Sequence, residues 1–391
     1  MANYILQDVP EIWMNLLPFT YTRPIADILV GILTIREKWE RSLMQKVSIA
    51  TDTCLSKKFP TIYKSENIFI NASILPNPKL VTQISKLNNG QKLIVSGNWI
   101  ATRTTSSQYN EDKLESVSIE ADFSSITQPW HIFQVNAEQI KADFEMITNG
   151  RKSQTLNHTN VLIGSPDKVF IEEGASIDCA TLNVKNGPIY IGKDTTLMEG
   201  SMIQGPFSLG DHSSLKMGAK IYPGTSIGPH CKVGGELNNV VIFGYSNKAH
   251  DGFLGQAVIG EWCNIGADSN NSNLKNTYEN VKVWSIAKNT FVDTESQFCG
   301  LFMGDHSKCG INTMFNTGTM VGVSANIFGA GFPRTFIPSF SWGGANGLTT
   351  YRLDKAFTSM KLVMERRNKE LCEEDKQILS HIFDETKVSR H

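Results

Sequence analysis

Residues 191–233 read "IGKDTTLMEGSMIQGPFSLGDHSSLKMGAKIYPGTSIGPHCKV". Every sixth position is aliphatic without a break: Ile191, Leu197, Ile203, Leu209, Leu215, Ile221, Ile227 and Val233. Glycine follows directly at Gly192, Gly210, Gly228 and Gly234. This period matches neither the 3.6 residues of a helix nor the 2 of a simple strand. It fits short strands joined by tight turns, with one inward aliphatic per face and small residues at the corners. Three hexapeptides then close one triangular coil of a parallel β-helix. Composition does not explain the pattern, because only 40% of the chain is hydrophobic.

The period returns at Ile259-Gly260 and Ile265-Gly266, then at Met303-Gly304, Cys309-Gly310, Phe315, Val321-Gly322 and Ile327. A weaker stretch, "VFIEEGASIDCATL" (169–182), spaces Ile171 and Ile177 the same way and reads as a first coil. Between two ordered coils, "ADSNNSNLKNTYEN" (267–280) is polar and turn-rich. It reads as a loop ejected from the prism, where function concentrates on rigid scaffolds.

Before about residue 155 the repeat is absent. "YILQD" (4–8), "IFINA" (68–72) and "KLIVSG" (92–97) read as short buried strands. "GILTIREKWERSLMQK" (31–46) predicts a helix with Ile32, Ile35, Trp39 and Leu43 on one face. "HIFQVNAEQIKADFEMI" (131–147) predicts a connecting helix. Strands alternating with helices indicate an α/β domain. After residue 353 two amphipathic segments carry Phe357, Met360, Val363 and Met364, then Ile378, Leu379 and Ile382. The expected organisation is an α/β domain over 1–155, a β-helix over 156–353 and a short helical tail over 354–391.

Lys+Arg (37) nearly balances Asp+Glu (38). No basic excess points to nucleic acid or an anionic membrane as a partner. No apolar run is long enough for a transmembrane helix. Asp8 and Glu11 interrupt the N-terminus where a secretion signal needs a basic and then an apolar run. Seven cysteines without a CxxC pair fit a cytoplasmic protein whose thiols act as small apolar fillers, with no zinc site.

With this layout the chain resembles, in divergent and shortened form, the bifunctional N-acetylglucosamine-1-phosphate uridyltransferase and glucosamine-1-phosphate acetyltransferase family. The resemblance is clear over about 185–330 and weak before it. Its core is "SNKAHDGFLGQAVIGEWCNIGADSNNSNL" (246–274), which matches the family's lysine-containing histidine motif, its LGxxxIGxxxNIGAG coil and its polar loop without a gap. The resemblance implies left-handed winding, a homotrimer with sites between its β-helices, and an acetyl-CoA or other acyl-CoA co-substrate. His250 falls on the catalytic base, Asn264 on an asparagine lining the amino-sugar and acetyl site, and Asn273 on the loop asparagine. Lys216, in "LKMG", falls on a basic position that binds the sugar phosphate or the nucleotide. Lys248 belongs to the histidine motif, and Glu236 or Asp251 would orient the imidazole.

The chemistry needs these groups. An amine attacks a thioester only when unprotonated, and histidine is the side chain suited to taking that proton near neutrality. Amides stabilise the tetrahedral oxyanion. Three positions depart from the family pattern: Asn238 replaces a lysine that contacts phosphate, Phe253 replaces a tyrosine, and Leu274 replaces the loop tyrosine. Loss of a charge and two hydroxyls implies a different acceptor, or none, because hydrogen-bonding pockets discriminate strongly. His306, in "MGDHSKCG", is a second candidate, facing a neighbouring subunit or acyl carrier.

The first 155 residues keep Pro18, Thr20, Arg23 and Pro24 of a nucleotidyltransferase-like pattern, and Arg23 is placed to bind a sugar phosphate. The glycine-rich triphosphate loop is missing, with "EIWMN" in its place. The main expectation is acyl transfer to an amino sugar that is phosphorylated or nucleotide-linked. The alternatives are sugar-1-phosphate nucleotidyl transfer in the first domain, with magnesium only in that case, and a non-enzymatic sugar-nucleotide-binding or scaffold protein.

Overall fold

The computed structural model describes residues 2–107 and 109–390. Contacts divide the chain into two units: one holding the chain up to Ile28 together with Leu33–His131, the other Leu29–Ile32 together with everything from Ile132.

The first unit is built on strands β1 (Asn3–Gln7), β2 (Ser48–Ala50), β3 (Asn67–Asn71), β4 (Gln91–Val95), β5 (Asn98–Thr104) and β6 (Glu115–Ile119). They form one sheet in the order β2-β1-β3-β5-β4-β6. β1 runs parallel to β2 and β3, so their carboxyl ends share one edge. The three predicted strands are all present. The predicted helix starts later than the apolar spacing suggested, as α2 (Ile35–Leu43), following a short α1 (Pro10–Asn15). Gly31 has φ +82, and Thr34 caps the helix. The Thr34 hydroxyl accepts from Glu37 N (3.2 Å), and Glu37 returns a bond to Thr34 N (2.8 Å). Trp39 is fully buried, and its Nε1–H donates to the Ile74 carbonyl at 2.8 Å. A third helix, α3 (Pro78–Lys86), has Asn77 as its N-cap.

The second unit is the coil. Its eight repeat aliphatics are each 2% exposed or less, so they form the interior of the prism. On one face ten strands stack from Ser176–Ile177 to Gly347–Thr350. All pairs on that face are parallel except the last, a closing hairpin of Ser341–Gly344 with Gly347–Thr350. The weak first coil is real, since Val169–Ile171 pairs with Ile189–Ile191. Val161–Ile163 adds one more strand before it. Helix α4 (Asn136–Thr148) lies against the coil through Asn136. That buried amide accepts from Gly31 N (2.6 Å) and donates to Gly224 O (2.7 Å) and Ser226 Oγ (3.0 Å). The tail forms α5 (Leu353–Glu365) and α6 (Glu373–Glu385), burying Met360, Met364, Ile378, Leu379 and Ile382.

The ejected loop begins later than its polar composition suggested. Asn270–Asn271 is still a coil strand, paired with Met314–Phe315. Asn271 takes an inward position normally held by an aliphatic. Its Oδ1 accepts from Gly255 N (2.8 Å) and its Nδ2 donates to Gly255 O (2.9 Å), so the buried amide is satisfied. The excursion follows, carrying an antiparallel hairpin of Lys282–Ser285 with Thr290–Asp293, and the coil resumes at Leu301–Met303.

One corner of the coil carries a column of rings. His212, His230, Tyr245, Trp262 and His306 all adopt left-handed φ between 58° and 62°. Each ring therefore leaves the backbone in the same direction. Successive centroids lie 4.8, 4.7, 4.2 and 6.3 Å apart, with planes within 17° of parallel.

Candidate functional site

His250 lies at a different corner, at the far end of the face that starts beside the ring column. On that face Lys232, Asn247, Asn264 and Lys308 occupy one register row, in successive coils. They alternate with the inward residues Val233, Lys248, Ile265 and Cys309. Lys248 is thus a lysine in an aliphatic column, 2% exposed. Its Nζ donates to the carbonyls of His250 (2.5 Å) and Asp251 (3.0 Å), which ties down the corner that carries His250. Burial pushes its pKa down to about 8.

The neighbouring corner is shorter. Leu215 and Lys220 pair with Val233 and Glu236, which pair in turn with Lys248 and Phe253. Four residues connect the strands in the outer two coils, but only Gly234 and Gly235 do so in the middle one. The Gly234–Gly235 corner is therefore recessed by two residues between the Lys216–Ala219 corner and the Ala249–Gly252 corner, with both glycines buried. Gly235 has φ +78, and a Cβ there would lie 2.7 Å from Gly252 O, 2.8 Å from His250 O and 2.9 Å from Lys248 Nζ. Gly234 sits between the Lys216 side chain and the Ala249 carbonyl. Glu236 N donates to Gly252 O at 3.2 Å.

The structure thereby gathers Lys216, Glu236 and His250 around this short corner, with exposed Asn264 in the coil after Asn247. The next face holds the rest. Asn238 is in register with Gly255, and the Phe253 ring and the Asn273 amide both pack against Gly255. Asn273 Nδ2 donates to Gln256 Oε1, and Phe253 N donates to Asn270 Oδ1 at 2.7 Å. His250 is exposed. Among the described residues no hydrogen bond or ion pair joins its ring to Glu236 or Asp251. Two expected site residues lie elsewhere. His306 is the last member of the ring column, at the other corner. Arg23 belongs to the first unit, where it is buried, donates to Phe19 O at 3.4 Å, and bears on the carboxylate of Asp27.

The first unit has a pocket of its own, about 580 Å³, at the carboxyl edge of β1 and β2. Gln7, Asp8, Trp13, Thr51 and Tyr109 line it. Such edges are where open α/β sheets bind ligands. Asp8 accepts from Thr51 Oγ1 (2.6 Å) and Ile25 N (3.1 Å), and burial pushes its pKa up to about 7. Trp13 has a buried Nε1–H without an acceptor among the described residues. No motif in the sequence marks this pocket. Its available signal was the Asp8 that ends the apolar strand "YILQD".

Residues 4–152 match the sugar nucleotidyl transferase family. Over 263 residues, 65% of this chain and 54% of the relative, the chain is 28% identical to the bifunctional protein GlmU of Methanocaldococcus jannaschii. Over 270 residues, 66% of this chain and 57% of the relative, it is 26% identical to a bifunctional sugar-1-phosphate nucleotidylyltransferase/acetyltransferase of Sulfurisphaera tokodaii. The chain spans little more than half the length of these curated relatives. Among solved structures, the polySia-specific acetyltransferase NeuO overlaps 54% of this chain and 94% of its own, with 13% identity and a TM-score of 0.27. An Arabidopsis UDP-N-acetylglucosamine acyltransferase overlaps 55% of this chain and 80% of its own, with 14% identity and a TM-score of 0.21. The chain thus resembles the bifunctional nucleotidyl- and acetyltransferases, and the nucleotidyltransferase match extends through the region that lacks the glycine loop.

Proposed function

We propose that the coil transfers an acyl group from an acyl-CoA to the amine of a phosphorylated or nucleotide-linked amino sugar. The observation that carries this reading is the short corner at Gly234–Gly235, with Lys216 in the coil before it, His250 in the coil after it and Glu236 following it directly. In the step, the His250 imidazole removes a proton as the amine nitrogen attacks the thioester carbonyl. The tetrahedral oxyanion takes hydrogen bonds from the Asn264 amide. Collapse breaks the C–S bond, and the departing thiolate receives a proton from the imidazolium, leaving an N-acyl sugar and free thiol. Lys216 supplies positive charge for the acceptor's phosphate. Phe253 and Asn238 line the acceptor side with one apolar ring and one neutral amide, which fits an acceptor other than glucosamine 1-phosphate. Two further parts of the reading are a homotrimer, in which a neighbouring coil covers this corner, and a cytoplasmic location.

The test is an acyl-CoA assay across a panel of amino sugars, on wild type and His250→Ala. A loss of at least about a hundredfold is expected for removal of a general base. Equal rates would sink the reading.

The pocket in the first unit supports a second reading, in which that unit binds the nucleotide or sugar-phosphate part of a ligand. No three or more His, Cys, Asp or Glu side chains among the described residues are grouped to hold a metal. Thermal stabilisation by a nucleotide sugar, lost in Trp13→Phe, supports binding; pyrophosphate release from a nucleoside triphosphate with a sugar 1-phosphate would instead show transfer.

A further inference from the structure

The row that leads to Asn264 begins in a cluster of cations. Lys232 is in register with Asn247, and the Arg367 guanidinium reaches Asn247 Oδ1 at 3.5 Å. Arg367 and Arg366 follow directly on the last residue of α5, so the tail delivers two guanidiniums onto the coil. Lys216 belongs to the coil one step before Lys232. The other three bear on Lys232: its amine is held below its ordinary pKa first by Arg367, then by partial burial, Lys216 and Arg366. Among the described residues none of the four has a carboxylate partner.

The end of a helix accounts for part of this, because cations there complement the backbone dipole. It does not account for two lysines from the coil facing the same place. Like charges gathered without a counter-ion cost stability unless an anion completes them. The chain's formal net charge is only −1, so the cluster is not a sample of a generally basic surface.

We propose that Lys216, Lys232, Arg366 and Arg367 form a phosphate site that holds the anionic end of a phosphorylated ligand laid along the Lys232–Asn247–Asn264 row. Neighbouring strands lie about 4.8 Å apart, so two steps along the row carry a ligand roughly 10 Å from the cations to Asn264. Guanidiniums suit this task, because their fork matches the oxygens of a phosphate. The site itself does not depend on acyl transfer; only the assignment of its ligand as a substrate rests on that reading. The phosphate has two sources, the nucleotide part of the thioester donor or the phosphate of the sugar acceptor.

The experiment is calorimetric titration of the full chain with inorganic pyrophosphate. Lys232→Gln/Arg367→Gln is expected to weaken binding at least about tenfold, since two charge-assisted contacts are lost. Arg366→Gln, a change at an exposed residue that leaves the fold intact, is expected to weaken it about threefold. Lys185→Gln, on the same unit but outside the cluster, should match wild type. Absence of pyrophosphate binding by wild type, or equal binding by wild type and both cluster variants, overturns the proposal. Displacement of pyrophosphate by adenosine 3′,5′-bisphosphate assigns the site to the donor, and displacement by the phosphorylated amino sugar that the acyl-transfer panel selects assigns it to the acceptor. Displacement by neither overturns the substrate assignment. Pyrophosphate binding that survives in a chain without acyl transfer leaves the site standing and removes the function. Acyl transfer with unchanged KM for both substrates in Lys232→Gln/Arg367→Gln does the reverse.

Discussion

Lys248 is the residue whose replacement is most informative. Its amine is in the prism interior, and its pKa falls from 10.5 to about 8 because burial disfavours the charge. That fall corresponds to roughly 3 kcal/mol at 1.36 kcal/mol per pH-equivalent of free energy. The folded state holds its proton less tightly than the unfolded state, so the penalty is complete below pH 8. It is relieved as pH rises from about 8 towards 10.5, where the unfolded chain also loses the proton. Lys248→Met keeps the volume, removes the charge and leaves the His250 carbonyl to find water, while Asp251 O keeps its bond from Asp268 N (3.0 Å). The expected variant is therefore more stable than wild type at pH 7, by about 1–3 kcal/mol once the lost hydrogen bonds are set against the relieved charge. The advantage shrinks towards pH 10. Urea unfolding of the full chain, followed by circular dichroism at pH 7, 8.5 and 10, measures it. A wild-type-minus-variant difference that stays constant across this range would falsify the desolvated amine. The corner that carries His250 is also released, so acyl transfer should fall in the same variant even as stability rises.

The remaining expectations follow from other elements. Gly235→Ala puts a Cβ 2.7 Å from Gly252 O at a φ of +78; a loss of about 2 kcal/mol and a displaced His250 corner are expected, and full activity in this variant would show that this corner is not the site. Asn271→Leu restores an aliphatic to the column but orphans both backbone groups of Gly255, at a cost of about 2–4 kcal/mol, read as earlier urea unfolding and faster amide exchange at Gly255. In the ring column, burial, then His212, Arg367 and Lys369, hold the His230 pKa below its ordinary 6.5. Its contribution is thus intact above pH 6.5 and lost as pH falls below it. His230→Asn, which tolerates the left-handed backbone, should flatten the decline in Tm between pH 7.5 and 5.5; an unaltered slope would place the acid sensitivity elsewhere.

The coil was legible in the sequence because its signal is repetition of one physical requirement. Ile191 through Val233 must each fill the same narrow interior, so their spacing survives every change of outward residue. Where the interior is polar the signal fails. Asn271 and Lys248 satisfy themselves through the backbone of an adjacent turn, a contact that only the folded register creates. That is why the ejected segment was placed too early. The short corner was equally hidden: Gly234-Gly235 looks like any glycine corner until Leu215, Val233 and Lys248 are set side by side. In the first unit the strands were legible from their apolar runs. The start of α2 was not, because Thr34 and Glu37 overrule the apolar spacing that extends back to Ile32. The corner that carries His250 was marked by the text around it, whereas the stacking of His306 on Trp262 left no local signal, since a turn histidine and a stacked one look alike in sequence.

The ring column acts as a counter. In the aliphatic interior one branched side chain substitutes for another, so a coil that gained or lost a residue could still fill its share of the prism. The five rings tolerate no slip at their own corner, since a shift by one position there would turn a plane away from its neighbours and break the column on both sides. Each ring therefore counts one coil and not its residues, since 18, 15 and 17 residues separate the first four rings while the stack stays unbroken. The long excursion between Trp262 and His306 counts as one coil in the same way, because its two ends return to the column within a single step.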